Sequence, residues 1–175
     1  DNKTEQLDFY EQFVIEFKER ALNILQDRTL LINDRIKKLL NLCNTGLDGK
    51  DYKKVLKTLF SLERLNKSWT NRLKNIKPTS CNLAVDEKLS LYCEQFLVNS
   101  LYRHVNTAED TLVAHAITVA CVYGWFIIQA LYLAEVSNGN DFNTLVDIVR
   151  EFSSEVEYST KNLTKLFNFA CKLLK

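Results

Sequence analysis

The sequence predicts an all-α fold, about seven or eight helices packed around one buried apolar helix. Three observations predict it. Apolar residues recur at three- and four-residue intervals along most of the chain, and no segment sustains a period of two. With 4 Gly and 1 Pro in 175 residues, the punctuation that sheets and sandwiches need is scarce. The uncharged run from Thr111 to Ala134 supplies a centre for amphipathic helices to surround. Hydrophobic residues at 46% and charged residues at 26% describe a chain with enough apolar surface to fold.

The elements follow in order. Leu7, Tyr10, Phe13, Val14, Phe17, Ala21, Ile24 and Leu25 form the stripe of a first amphipathic helix ending near Gln26–Arg28. Ile32, Ile36, Leu39, Leu40 and Cys43 repeat the pattern, and Gly46 with Gly49 marks its stop. Tyr52, Val55, Leu56, Leu59 and Phe60 make a third stripe, with Lys50, Lys53, Lys54 and Lys57 turned away from it. Leu65, Trp69, Leu73 and Ile76 make a fourth, closed by Pro78. Residues 78–86 are the best connector in the chain, between an N-terminal helical part (1–77) and a C-terminal one (86–175) that are expected to form a single domain, one compact unit. Leu89, Cys93, Phe96, Leu97, Ser100, Leu101 and His104 share the next helical face. Beside them, Tyr92, Gln95, Asn99 and Tyr102 form a stripe with polar tips.

Thr107 opens a TAED segment that reads as a variant capping box for the apolar run. That run is long enough to span a bilayer. Thr118, His115, Gly124 and Gln129 interrupt it, however, and its flanks carry Glu109, Asp110 and Glu135 rather than basic anchors. The favoured reading is a buried central helix; the alternative is a membrane-associated protein. After a turn at SNGN (137–140), Phe142, Leu145, Val146, Val149 and Phe152 make another helix, which breaks within 153–160. Leu163, Leu166, Phe167, Ala170, Leu173 and Leu174 form the terminal one.

The formal charge of +1 hides an asymmetry. Residues 35–77 hold twelve Lys/Arg against three Asp/Glu, so this block carries +9 and the remainder −8. These cations are either the wet faces of amphipathic helices or a basic docking surface for an acidic partner. No convincing helix-turn-helix accompanies them, so nucleic acid is not the expected partner.

Catalytic patterns are sparse. There is no Gly-rich phosphate cradle and no dinucleotide-binding turn. The five cysteines (Cys43, Cys81, Cys93, Cys121, Cys171) contain no C-x-x-C pair, and His104 and His115 have no partner at metal-ligand spacing. Cys93 and Cys121 read as small buried hydrophobes, and free thiols fit a reducing compartment. His104 reads as a charge complementing a helix C-terminus, and His115 as a hydrogen-bonded core histidine. Glu155 and Glu157 lie in a polar break, where solvated charge is the default; Ser153 and Ser154 lack a neighbouring base. Met is absent, at position 1 as elsewhere, which suggests a piece of a longer protein.

Four segments in fixed order resemble the flagellin lysine N-methylase family over most of residues 15–175. Phe96-Leu97-Val98-Asn99 with Tyr102-Arg103 matches its aromatic, Leu-Val-Asn, aromatic-basic stretch. ALNILQDRTLLINDRIKKLL (21–40) is similar to its Gln-Asp-Arg segment through Gln26, Asp27, Arg28 and Arg35. The apolar helix sits at the expected distance. FSSEVEYS (152–159) resembles a Phe-Ser-Arg-x-x-Glu-His motif through Phe152, Ser153 and Glu157, with Ser154 and Tyr158 replacing its arginine and histidine.

The resemblance implies the C-terminal helical part of a cytoplasmic enzyme that methylates flagellin lysines. It implies S-adenosylmethionine as donor, and metal or iron–sulfur character only in a Cys-rich N-terminal part outside these residues. No donor-binding signature is visible in this chain. A substrate-engaging or scaffolding role is therefore expected, with flagellin as partner and neither nucleic acid nor membrane. Arg28, Tyr102, Arg103, His104, Glu157 and Tyr158, at helix ends, are the candidate substrate-binding residues; the alternative is a non-catalytic helical interaction module.

Overall fold

Helical periodicity becomes eight α-helices among the described residues: α1 (Asn2–Gln26), α2 (Ile32–Leu42), α3 (Gly49–Ser61), α4 (Lys67–Lys74), α5 (Glu87–His104), α6 (Thr111–Glu135), α7 (Phe142–Phe152) and α8 (Thr160–Leu173). A 3-10 turn, Val105–Thr107, follows α5, and a π-helical turn, Ser153–Glu157, follows α7. The computed structural model describes residues 2–46, 49–76, 87–136 and 141–174, and the side chains of 11–46, 53–76, 87–136 and 141–174. The connector at 78–86 with Pro78 and Cys81, the turn at 137–140, and the side chains of Leu7, Tyr10, Lys50 and Tyr52 lie outside these.

The architecture is all-α, and its apolar helix is buried. From Ala114 to Tyr132, α6 hides nearly every side chain, and Val119, Val122, Trp125, Ile128 and Leu131 are fully enclosed. Within its most apolar window 78% of residues are covered by the fold itself. A side chain of that size contributes about 1.5–3 kcal/mol when fully buried, so this helix supplies a large share of the driving force. Thr118 meets its own polar demand by donating its Oγ1 to the Ala114 carbonyl at 2.8 Å.

The chain divides into two compact units, each drawing on both halves of the sequence. One comprises Asp1–Leu47, Asn82–Val122 and Ala170–Lys175; the other comprises Asp48–Cys81 and Tyr123–Phe169. In the first, α1, α2 and α5 pack together. The expected stripes meet there: Val14, Phe17, Ala21 and Leu25 of α1, Ile36, Leu39 and Leu40 of α2, and Leu89, Cys93, Leu97 and Leu101 of α5 are buried. In the second, Val55, Leu56 and Leu59 of α3, Trp69 and Leu73 of α4, Leu145 and Ile148 of α7 and Leu166 of α8 are buried. Trp69 meets Phe152 edge-on, with ring centroids 6.4 Å apart.

Several local expectations change. Helix α2 ends at Leu42, before the glycines. Asn44 takes a left-handed φ of 55°, and the Thr45 N–H reaches back to the Leu40 carbonyl at 3.0 Å, a Schellman stop. Gly49 opens α3 instead of ending α2. The cap of α6 is Asp110, whose Oδ1 accepts the Val113 N–H at 2.8 Å, while the Thr107 hydroxyl donates to the His104 carbonyl. Phe13, Phe60, Leu65, Phe142 and Val146, read as core, are substantially exposed. Helical period identifies a face, but neighbouring elements decide how wide a strip of it is covered.

Candidate functional site

The segment linking α1 to α2 is shaped by its own side chains. Asp27 accepts both the N–H and the hydroxyl of Thr29, turning the chain after α1. Those bonds, led by the Thr29 hydroxyl, hold its carboxyl below the ordinary range. The turn presents Arg28 to α5, and one helical turn into α2, Arg35 points to the same place.

Both guanidiniums close on Glu94, one residue before the QFLVNSLYRHV stretch. Arg28 Nη2 lies 2.9 Å from Glu94 Oε1, its Nε reaches both oxygens at 3.2 Å, and Arg35 Nη1 lies 2.7 Å from Oε2. Arg35 also donates to the carbonyls of Leu25 (2.7 Å) and Leu30 (3.1 Å), so it ties the end of α1 and the following loop to α5. The side chains of Arg35 and Glu94 are 7% and 8% exposed, against 68% for Arg28, so the first two form a buried pair and Arg28 covers it. Hydrogen bonds from Arg28, then from Arg35, depress the Glu94 carboxyl against the opposing effect of burial. Of this cluster the sequence points to Arg28 and Arg35 but not to Glu94, which sits beside Cys93 on a helix with a mixed face, where a lone glutamate reads as solvated.

At the far end of α5 lie Tyr102, Arg103 and His104. Tyr102 is 52% exposed, and the Lys18 ammonium stands 5.5 Å from its ring centroid. Lys18 also donates to Asn106 Oδ1 at 2.8 Å, and Asn106 Nδ2 to the Tyr102 carbonyl at 3.1 Å. Arg103 is exposed and His104 half-buried. Arg28 meets α5 at Glu94, eight residues earlier, which is about 12 Å along a helix. The structure therefore does not bring Arg28 to the Tyr-Arg-His end. His115 of this unit is half-buried with its ring 4.7 Å from that of Phe17, and burial lowers its pKa, as suits a neutral core histidine.

Glu157 and Tyr158 belong to the second unit. Glu157 is half-buried and accepts the Ser153 hydroxyl at 2.5 Å across the π-helical turn; Tyr158 is 77% exposed. The nearby Glu155 departs from expectation. Rather than being solvated it is 2% exposed, and its Oε2 accepts the Leu65 N–H at 2.7 Å. Asn162, fully buried, donates to the carbonyls of Glu155 (2.7 Å) and Glu63 (2.8 Å) and accepts the Glu63 N–H at 2.8 Å. Together Glu155 and Asn162 pair with backbone groups of the irregular segment 63–65 and hold it to the start of α8 and the π-helical turn. In the same unit Arg72 donates to Glu135, and to Glu151 at 2.6 Å, which ties α4 to α6 and α7.

The thiols Cys43 and Cys93 are buried, and burial raises both, Cys43 to about 12 and Cys93 well above its ordinary value. Neither is a thiolate nucleophile at neutral pH. Among the described residues no group of three or more His, Cys, Asp or Glu side chains is placed to hold a metal ion. The six candidates thus fall at two locations of the first unit and one of the second, and those with defined partners join one helix to another or brace a turn. No protein-family model, curated protein or solved structure matches this chain.

Proposed function

We propose that this chain is the helical, substrate-engaging part of a protein-lysine N-methyltransferase acting on flagellin in the cytoplasm. S-adenosylmethionine is the donor in this reading, and the catalytic Cys-rich part lies outside these residues. The observation that carries it is the Arg28–Glu94–Arg35 cluster, because it ties the segment 21–40, one of those on which the family resemblance rests, to α5 one residue before another, 95–105. Arg28 and Arg35, which belong to the resemblance, thereby also hold two distant segments of the chain together.

The chemistry favours engagement over catalysis. Methyl transfer to lysine needs a neutral amine aligned with the donor methyl in a water-poor pocket. Tyr102 offers something different, an exposed ring face that already accommodates the Lys18 ammonium. Such a face receives a charged lysine, as a docking step would require. The test is incubation of the chain with flagellin and isotope-labelled donor. No methyl incorporation above background is expected; robust incorporation would place catalysis within the chain and overturn the division of labour.

A further inference from the structure

The basic block 35–77 contains a built recess. In the second unit, Lys53, Leu56, Lys57 and Phe60 of α3 and Ile76 beyond α4 line an open groove of about 330 Å3. Leu56 and Ile76 are almost covered and form its floor, Phe60 is 42% exposed along it, and Lys53 and Lys57 stand exposed at its rim. Among the described residues neither rim ammonium has a carboxylate partner. Arg72 and Lys161 of the same unit are paired, with Glu135 and Glu63. Cations left open beside an apolar floor differ from the ordinary wet face of a helix.

We propose that this groove docks an acidic amphipathic helix of a partner protein. The spacing selects that occupant. Lys53 and Lys57 are four residues apart on one helix, so their stems are about 5–6 Å apart, which is also the separation of Asp/Glu side chains at i and i+4 on a second helix. The same partner helix presents apolar residues one turn apart, which is what Leu56, Phe60 and Ile76 receive in a helix-in-groove mode. A nucleic acid strand satisfies the lysines and leaves the apolar floor without a partner. A fatty acid fills the floor but offers one carboxylate to two ammoniums. The inference rests on the groove alone and is independent of methyl transfer.

The test is fluorescence anisotropy with a labelled synthetic helix of about eighteen residues, five turns, carrying leucines along one stripe and glutamates beside it. Three comparison probes accompany it: the same peptide with lysine for glutamate, the same peptide with serine for leucine, and a single-stranded oligonucleotide. Saturable binding of the acidic amphipathic peptide is expected, with affinity falling at least roughly tenfold for Lys53→Glu/Lys57→Glu, a change of about 1.4 kcal/mol. A similar loss is expected for Phe60→Ser, whose helical spectrum should be unchanged because the side chain is already part-exposed. Failure of the peptide to saturate, equal binding of the lysine or serine peptide, tighter binding of the oligonucleotide, or indifference to the double lysine variant would overturn the proposal. The lysine variant alters only exposed side chains, so it remains informative if Phe60→Ser proves unstable.

Discussion

Glu94→Gln is the sharpest perturbation the structure offers. The substitution keeps the size of the side chain and removes its charge, leaving Arg35 ionised with a side chain only 7% exposed. Removing one partner of a buried ion pair typically costs about 3–5 kcal/mol. Arg35 retains the Leu25 and Leu30 carbonyls, and the glutamine oxygen can still accept one bond, so the lower end, about 3 kcal/mol, is expected. For a chain of this size, that corresponds to a melting temperature lower by about 6–12 °C. Urea and thermal unfolding followed by circular dichroism would measure it. Replacing the pair by apolar residues of similar volume, Glu94→Leu with Arg35→Met, should recover most of the loss, since neither charge is then stranded. A Glu94→Gln loss under about 1 kcal/mol would refute the buried-pair reasoning.

The same group sets an acid sensitivity, and other contacts are equally open to test. Glu94 is held below its ordinary 4.5, so the folded state binds its proton less readily than the unfolded state. Its contribution is present above the unfolded value and disappears as pH falls through the folded one; the stability gap between wild type and Glu94→Gln should therefore narrow across that acid window. Asp110→Ala should cost about 1 kcal/mol by removing the α6 cap, and more than Thr107→Ala, which unfolding curves of the two variants would show. Asn162→Ala removes three hydrogen bonds, one buried and two part-buried, a loss of roughly 3 kcal/mol at about 1 kcal/mol each. It should also speed amide exchange at 63–65; unchanged exchange there would show that Asn162 does not hold that backbone.

Sequence periodicity made the helices legible because burial on a helix repeats every three or four residues, and Leu89, Cys93, Leu97 and Leu101 all proved to be buried. The buried nature of α6 was legible for a related reason: a helix apolar all round has no face to give to water. Polar anchoring was much less visible. Glu94, Glu155 and Asn162 each look like solvated residues beside an apolar stripe, and the groups they satisfy lie 59, 90 and 99 residues away in the chain. The expected break within 153–160 falls at 158–159, while the π-helical turn at Ser153–Glu157 that precedes it has no periodic signature to be read from. Thr107 and Asp110 both fit a capping pattern, and only the hydrogen bond from the Val113 N–H to Asp110 selects Asp110. Of the proposed site, the sequence marked Arg28 and Tyr102 as candidate binding residues and Arg35 only through the resemblance, but neither the carboxylate nor the ammonium that engages them.

Calorimetric titration of the chain with monomeric flagellin at low and moderate salt tests the proposed engagement of flagellin. Saturable binding with defined stoichiometry is expected, weakened by Tyr102→Ala while the helical spectrum stays intact. A well-folded chain that releases no heat and shows no saturation at either salt concentration would contradict it.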